Sequence, residues 1–272
     1  MQRKEQLMNN AGKNTYEKLT IRDKFMFGKV TKNPEIARKM ADLLIPVEIG
    51  AVTAVEREKF LQHRSTSKYV KLDMYLEDEN GRVVDTEMQN KSQNRMVQEE
   101  LPLRVRYYQG MIDQEILSSG TDYIFLKETY IIFITSNDVL AGGLPIYTIE
   151  RTVQETGKLF NDKAHIVYVN GSYRGDDEVG WLMHDFNCVN YHEMHNAKIA
   201  ARVRYFKEEP KGVADMCKTM QVIVDRERDE AEVSRSKKIA WNMWKNGEHD
   251  LDKIAETTLL SVEQVREAIT QK

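Results

Sequence analysis

Residues 71–91, KLDMYLEDENGRVVDTEMQNK, decide the fold, because they hold two short alternating segments on either side of a turn. The first segment alternates apolar and polar residues, as a β-strand with one buried face does. Its apolar side carries Val70, Leu72, Met74 and Leu76, and its other side carries Tyr69, Lys71, Asp73 and Tyr75. The stretch therefore predicts a β-hairpin with one apolar face.

The turn determines how the two strands face each other. If Glu79, Asn80 and Gly81 form a three-residue loop with a left-handed glycine, residues whose numbers sum to 160 lie opposite each other. Asp73 then lies opposite Glu87. The same register adds to the apolar face Val84, Thr86 and Met88. A two-residue Asn-Gly turn would mix the two faces, so the three-residue loop is predicted.

In this register Asp73 and Glu87 are opposed carboxylates. Directly opposed cross-strand residues have Cβ atoms about 4.5 to 5.5 Å apart, and like charges at that position destabilise a sheet. A lysine would offset the repulsion. So would a divalent cation, since Gln89 follows on the same face and an oxygen-rich set of this kind suits Mg²⁺ or Mn²⁺. A solvated strand face is the alternative interpretation of the same residues.

The rest of the pattern alternates between helices and strands. Helical periodicity from Leu19 to Leu44, interrupted at Asn33-Pro34, predicts two short helices, and it returns from about Arg95 to Leu117 around Pro102. Further strands are predicted at Tyr130 to Thr135, at Pro145 to Glu150 and at His165 to Val169. The first of these is a continuous apolar run, typical of a central strand covered on both sides.

Four segments are predicted along the chain: a polar tail over 1–18, a main domain over 19–222, a charged helix or linker over 223–245, and a helix-turn-helix-like tail over 246–272. In the last segment, Ser261 and Gln264 fit a capping box. The helix that follows carries Glu263 and Glu267 but only one arginine, which does not favour major-groove reading. This tail is therefore interpreted as an interaction module or as a remnant of a mobile-element ancestry.

Composition excludes several classes. The 272 residues carry a net charge of −3, with 41% hydrophobic and 31% charged residues, which excludes disordered, collagen-like and membrane proteins. No apolar stretch reaches the ~18 residues of a membrane span, and the opening lacks the apolar core of a signal peptide, so a cytoplasmic protein is expected. Cys188 and Cys217 have no CxxC spacing and are expected to be buried free thiols.

Charge and histidine content give weaker signals. The first 40 residues hold ten Lys or Arg and four Asp or Glu, a net charge of +6 against −9 for the remainder. Such a segment attracts phosphate, although a solvated helix face has the same composition. His184, His192 and His195 have a spacing that matches no standard metal-binding pair, so no metal is assigned to them.

Asp73 and, fourteen positions on, Glu87-Met88-Gln89 resemble the PD-(D/E)xK nuclease signature, with glutamine in place of the usual lysine. More narrowly, the whole hairpin resembles the core of the Rpn family, the recombination-promoting nucleases also described as transposases, in which glutamine is common at this position. Three flanking segments are similar to further motifs of that family: DKFMFGKV at 23–30, LRVRYYQ at 103–109 and GTDYIFLK at 120–127. The resemblance extends from about residue 20 to 220.

The resemblance implies an α/β fold of the restriction-endonuclease type, a mixed sheet flanked by helices, followed by a helical carboxyl-terminal region. It implies metal-dependent endonucleolytic cleavage of DNA, linked to recombination or mobile elements. Mg²⁺ or Mn²⁺ is the implied cofactor. The implied catalytic residues are Asp73, Glu87 and Gln89, with Asp73, Glu87 and Asp23 as metal ligands. DNA is the expected partner, together with a homodimer, and neither a membrane nor a small-molecule cofactor is expected.

Four residues are candidates for DNA contacts: Arg104, Tyr108, Lys24 and Lys29. Arg104 and Tyr108 follow the hairpin on the next helix, where a nuclease would place a phosphate contact, although packing and ion pairing would explain them as well. Two other functions stay open. A catalytically degenerate nuclease fold would act only as a DNA- or protein-binding module, and the carboxyl-terminal tail would make the chain a regulator.

Overall fold

The computed structural model describes residues 17–63, 68–90 and 95–270. The chain forms two compact units, and the boundary between them lies between Glu208 and Glu209. The first unit contains a mixed six-stranded sheet with helices packed on it, and the second is helical. This architecture is consistent with a restriction-endonuclease-like fold followed by a helical region, as the sequence predicted. Within the described residues, no helix is both long and apolar enough to cross a membrane.

The first unit begins with the two predicted helices, α1 (Lys24–Thr31) and α2 (Pro34–Leu44). Asn33 ends one and begins the other, because its side chain accepts hydrogen bonds from the backbone N–H groups of Glu35 and Ile36. Proline at the first position of α2 lacks only an N–H that would have no partner inside the helix. The break that the sequence predicted is confirmed.

The large sheet has the strand order β1-β2-β3-β4-β8-β5. Its strands are β1 (Val52–Leu61), β2 (Val70–Asp78), β3 (Val83–Gln89), β4 (Thr129–Thr135), β5 (Ile146–Ile149) and β8 (Ala164–Asn170). β1, β2 and β3 are antiparallel neighbours, β3, β4 and β8 run parallel, and β5 is antiparallel to β8. All seven residues of β4 are buried, which confirms the predicted central strand.

The hairpin formed by β2 and β3 has the predicted register. Met74 lies opposite Thr86 and Glu77 lies opposite Val83, so paired residues sum to 160. Gly81 has a φ of 76°, a left-handed conformation that glycine adopts without a steric penalty. The Asp78 carboxylate fixes the turn by accepting hydrogen bonds from the backbone N–H groups of residues 80 and 82.

One large strand was not predicted. The middle of β1 reads Glu-Arg-Glu-Lys over 56–59, which hides the alternation of a strand. β1 is an edge strand, paired only with β2, and charged side chains are tolerated there because one side of the strand faces water. A two-stranded hairpin of β6 (Thr152–Val153) and β7 (Lys158–Leu159) was not predicted either.

Helices cover the sheet and lead out of it. α3 (Arg95–Ile116) includes Pro102, and its apolar residues pack on the sheet in a cluster with Tyr75, Ile131 and Phe133. α4 (Glu178–Asn187) and α5 (Ala197–Glu208) complete the first unit.

The second unit consists of α6 (Pro210–Lys245), α7 (Leu251–Thr258) and α8 (Val262–Thr270). α6 is continuous over residues 223–245, which were interpreted from the sequence as a charged helix or a linker. Cys217 lies on α6 and is exposed, so the predicted burial is confirmed for Cys188 and wrong for Cys217. The capping box is present, since Ser261 N–H donates to Gln264 Oε1 and Gln264 N–H donates to Ser261 Oγ. Buried residues of the three helices, among them Ala240, Ile254 and Val265, form a small core of their own.

Candidate active site

Asp73 and Glu87 hold each other in place across the hairpin. The backbone N–H of Asp73 donates to Glu87 Oε1 at 2.7 Å, and the backbone N–H of Met88 donates to Asp73 Oδ2 at 3.0 Å. Both residues are buried, with 6% and 1% of their surface exposed. Each carboxylate therefore has a fixed orientation on the same face of the sheet, as the register requires.

A third carboxylate, Asp85, was missed in the sequence. It lies directly opposite Tyr75 and two residues before Glu87, so period-two alternation places it on the face of the other two acids. It is 0% exposed, and within the described residues neither of its oxygens has a hydrogen-bond partner. The predicted register already implied its orientation, but only the covering strands and helix show that it is buried.

Burial and mutual repulsion change the proton affinity of these acids. Loss of solvent, followed by the charge of Asp73, raises the pKa of Glu87 to about 8. Burial and the charges of Glu87 and Asp73 raise the pKa of Asp85 well above its ordinary value. Arg104 and Lys24 act in the opposite direction on both groups without cancelling the effect. If all three acids were ionised, the cluster would carry more negative charge than Lys24 and Arg104 neutralise, so without a metal ion Glu87 and Asp85 keep their protons to higher pH than usual.

Two basic side chains, each from a different helix, reach the acids. From α1, Lys24 places its Nζ 3.1 Å from Asp73 Oδ1, while 58% of its side chain stays exposed. From α3, Arg104 donates to Gln89 Oε1 and to the Tyr108 hydroxyl, both at 2.9 Å. Its Nη2 also lies 3.7 Å from Glu87 Oε2.

Arg104 thus brings a positive charge beside Gln89, the residue that replaces the lysine of the signature that this hairpin resembles. Gln89, which stands at that position in this chain, is uncharged and accepts one of the two hydrogen bonds from Arg104. The structure brings together Lys24, Asp73, Glu87, Gln89, Arg104 and Tyr108.

Two predicted residues have other surroundings. Asp23 Oδ2 accepts hydrogen bonds from the backbone N–H and the hydroxyl of Thr20, which ties it to the turn before α1. Lys29 is only 9% exposed, and its Nζ lies 5.8 and 5.9 Å from the ring centres of Phe25 and Phe206. Neither is brought into contact with Asp73 or Glu87 among the described residues, and we leave both out of the proposed site.

A mixed sheet whose hairpin presents buried carboxylates beside a helix arginine is consistent with the restriction-endonuclease-like fold class. A family model described as PD-(D/E)XK nuclease family transposase matches residues 24–172, which include the hairpin, α3 and the strands as far as β8. The chain belongs to this family. Nucleases of this kind act on DNA and generally use divalent metal ions. No curated protein and no solved structure matches the chain significantly.

The donor set fits a divalent ion. Three buried carboxylates on one face supply hard oxygen ligands, which Mg²⁺ and Mn²⁺ prefer. The unpartnered oxygens of Asp85 are the clearest sign, because a buried polar atom without a partner costs about 1 to 3 kcal/mol. A cation among these groups would offset both that cost and the repulsion that raises the pKa of Glu87.

Proposed function

We propose that this protein is a Mg²⁺- or Mn²⁺-dependent DNA endonuclease of the Rpn type, linked to recombination or mobile elements. The observation that carries the proposal is the buried cluster of Asp73, Asp85 and Glu87, whose full ionisation the protein alone does not balance. Asp73 and Glu87 would hold the ion, as the family resemblance implies, and Asp85, on the same face of the sheet, would supply a further oxygen. When bound, such an ion polarises the phosphodiester and lowers the pKa of an attacking water.

The residues around the acids have roles of their own in this proposal. Arg104 keeps its guanidinium beside Gln89 and Glu87, where it would contact a phosphate oxygen through an N–H that the protein does not use. Tyr108 orients Arg104 through a hydrogen bond. Gln89, held by Arg104, would position water or a phosphate oxygen with its amide. Lys24, largely exposed, would exchange its ion pair with Asp73 for a DNA phosphate.

Nicking of supercoiled plasmid tests the proposal directly. We expect the full chain to nick with Mg²⁺ or Mn²⁺ and not with excess chelator. Asp73→Asn keeps the size of the side chain and an oxygen for Met88 N–H, but it should reduce nicking by at least about 100-fold, because a ligand charge is lost. Asp122→Asn is the matched control, since Asp122 is exposed and makes no side-chain cap contact.

One observation favours a second function. Gln89 cannot supply the charge of the lysine that nucleases of this superfamily usually carry, so a degenerate nuclease fold that only binds DNA or protein stays a candidate. It predicts DNA binding that needs no metal, and no nicking under any metal condition. Metal-dependent nicking that disappears in Asp73→Asn would refute this alternative, and equal nicking by wild type and Asp73→Asn would refute the nuclease site.

A further inference from the structure

A second group of metal-binding side chains lies outside the residues that the family model matches, where α4 ends and α5 approaches. His184 and Asp185 are in the last turn of α4, Cys188 follows its end, and His195 precedes α5. The spacing of the histidines alone indicated no metal. The histidine spacing takes no account of Asp185 and Cys188, which are also possible ligands. His184 and Cys188 are four residues apart, and residues with this separation are neighbours on one face of a helix.

Three members of this group lie close enough together to share one ion, since the ligand atoms of His184, Asp185 and His195 all lie within 4.8 Å of one another. His184 Nδ1 lies 3.4 Å from Asp185 Oδ1. Cys188 Sγ lies beside the His184 ring, 3.5 Å from Nδ1 and 3.6 Å from Nε2. Zn–N and Zn–O bonds of about 2.1 Å and Zn–S bonds of about 2.3 Å place nitrogen about 3.4 Å from oxygen and about 3.6 Å from sulfur in a tetrahedral site.

Asp185 fixes the geometry. Its carboxylate is 0% exposed and accepts the backbone N–H groups of His195 at 2.7 Å and of Asn196 at 2.8 Å. These bonds hold the chain segment of His195 against the end of α4. Each oxygen keeps a lone pair, because a carboxylate has about four acceptor positions. The Trp181 ring stacks on the His195 ring, with centres 5.7 Å apart and an interplanar angle of 22°, and limits its rotation.

The charge of Asp185 needs a partner. Among the described residues, no lysine or arginine forms an ion pair with it, and its basic neighbours are the side chains of His184 and His195. A buried carboxylate without a cation is costly, whereas a bound metal ion would balance it.

From these observations we infer that His184, Asp185, Cys188 and His195 form a zinc site separate from the nuclease carboxylates. Two imidazoles, a thiolate and a carboxylate are a donor set that suits the borderline-soft Zn²⁺ and not Mg²⁺. Asp185 and His195 also line a pocket of about 420 Å³ between α2 and α4, which gives the ion a path from solvent.

Metal content tests the inference. We expect the full chain, dialysed against buffer with excess Mg²⁺, to retain one zinc ion per molecule, measured by elemental analysis. Cys188→Ser and His195→Gln should each weaken zinc affinity at least tenfold in competition with a chromophoric chelator. His195→Gln keeps the backbone N–H that Asp185 accepts. Cys217→Ser and His192→Gln are matched controls, one at the other cysteine and one three residues from His195, and should retain zinc.

Zinc at the nuclease carboxylates is the competing explanation. Asp73→Asn separates the two, because it should keep zinc if our inference is right. Loss of zinc in Asp73→Asn together with its retention in His195→Gln would overturn the inference and leave the nuclease proposal intact.

Cobalt substitution of the wild type gives a test that no folding defect affects. A thiolate ligand produces a sulfur-to-cobalt charge-transfer band and tetrahedral visible bands, and these should disappear in Cys188→Ser and persist in Cys217→Ser. Absence of the charge-transfer band in the wild type would show that Cys188 is not a ligand and would refute the site.

Discussion

Glu87→Gln gives the strongest test of how the acid cluster behaves without metal. Burial and Asp73 raise the pKa of Glu87 to about 8, from an ordinary value of 4.5. Between these values the unfolded chain carries the charge and the folded protein carries the proton. Stability from this group is therefore complete at low pH and is lost as pH rises through the folded-state pKa. Glutamine mimics the protonated acid and has no such loss.

The magnitude follows from linkage. One proton held only by the folded state lowers the free energy of unfolding by about 1.4 kcal/mol for each pH unit of increase. Over the window between 4.5 and about 8 the total is on the order of 3 to 5 kcal/mol. We expect Glu87→Gln and wild type to have similar stability near the bottom of the window, and the mutant to be the more stable protein at the top. Removal of the Glu87 charge also lowers the pKa of Asp85, which adds to the stability of the mutant at the top of the window.

Urea unfolding with excess chelator, repeated from about pH 5 to about pH 8.5, measures this difference. Glu100→Gln, an exposed glutamate on α3, is the control and should follow the wild type at every pH. A wild-type minus Glu87→Gln difference that does not change with pH, or that grows in favour of the wild type, would refute the reasoning. Calorimetry of Mg²⁺ binding near pH 7 in buffers of different ionisation enthalpy gives a second readout. The wild type should release about one proton more than the mutant.

Three further changes are informative. Arg104→Lys keeps the charge but cannot donate to Gln89 and Tyr108 together, so nicking should fall about tenfold while Mg²⁺ affinity, measured by calorimetry, changes less than about threefold. Lys24→Gln should lower the salt slope of DNA binding by about one unit, and an unchanged slope would mean that Lys24 contacts no phosphate. Leu259→Gly should stabilise the second unit by about 0.5 to 1 kcal/mol, because Leu259 has a left-handed φ of 56° that glycine adopts without strain, and its side chain is 92% exposed. Slower amide exchange in α7 and α8 would show this gain in stability.

The sequence pattern predicted those parts of the fold whose structure depends on residues close together in the chain. The hairpin register followed from alternation and one glycine, Gly81, and the break at Asn33 followed from a cap and a proline. β4 followed from an uninterrupted apolar run. β1 did not, because an edge strand tolerates charge and its sequence therefore carries no alternation.

The candidate-site residues on the hairpin were predictable from the sequence. The residues whose environment depends on burial by distant segments were less predictable. Asp85 faces the same side as Glu87, but its burial depends on later parts of the chain such as β4, where Ile131 pairs with Asp85. Lys29 looked like a surface charge, and its contact with Phe206, more than 170 residues away, is invisible to periodicity. Asp23 bonds to its own turn, a local preference of aspartate that competes with any longer-range role.

The separation in sequence between the acids and their basic partners bears on how the chain folds. Asp73 and Glu87 meet within one hairpin, fourteen residues apart, whereas Lys24 comes from 49 residues upstream of Asp73 and Arg104 from a later helix. A hairpin forms within about 1 to 10 μs, before such distant segments dock. The nascent hairpin therefore carries unneutralised negative charge that attracts α1 and α3. Salt, by screening that attraction, should slow the folding of this protein in addition to weakening its hold on DNA.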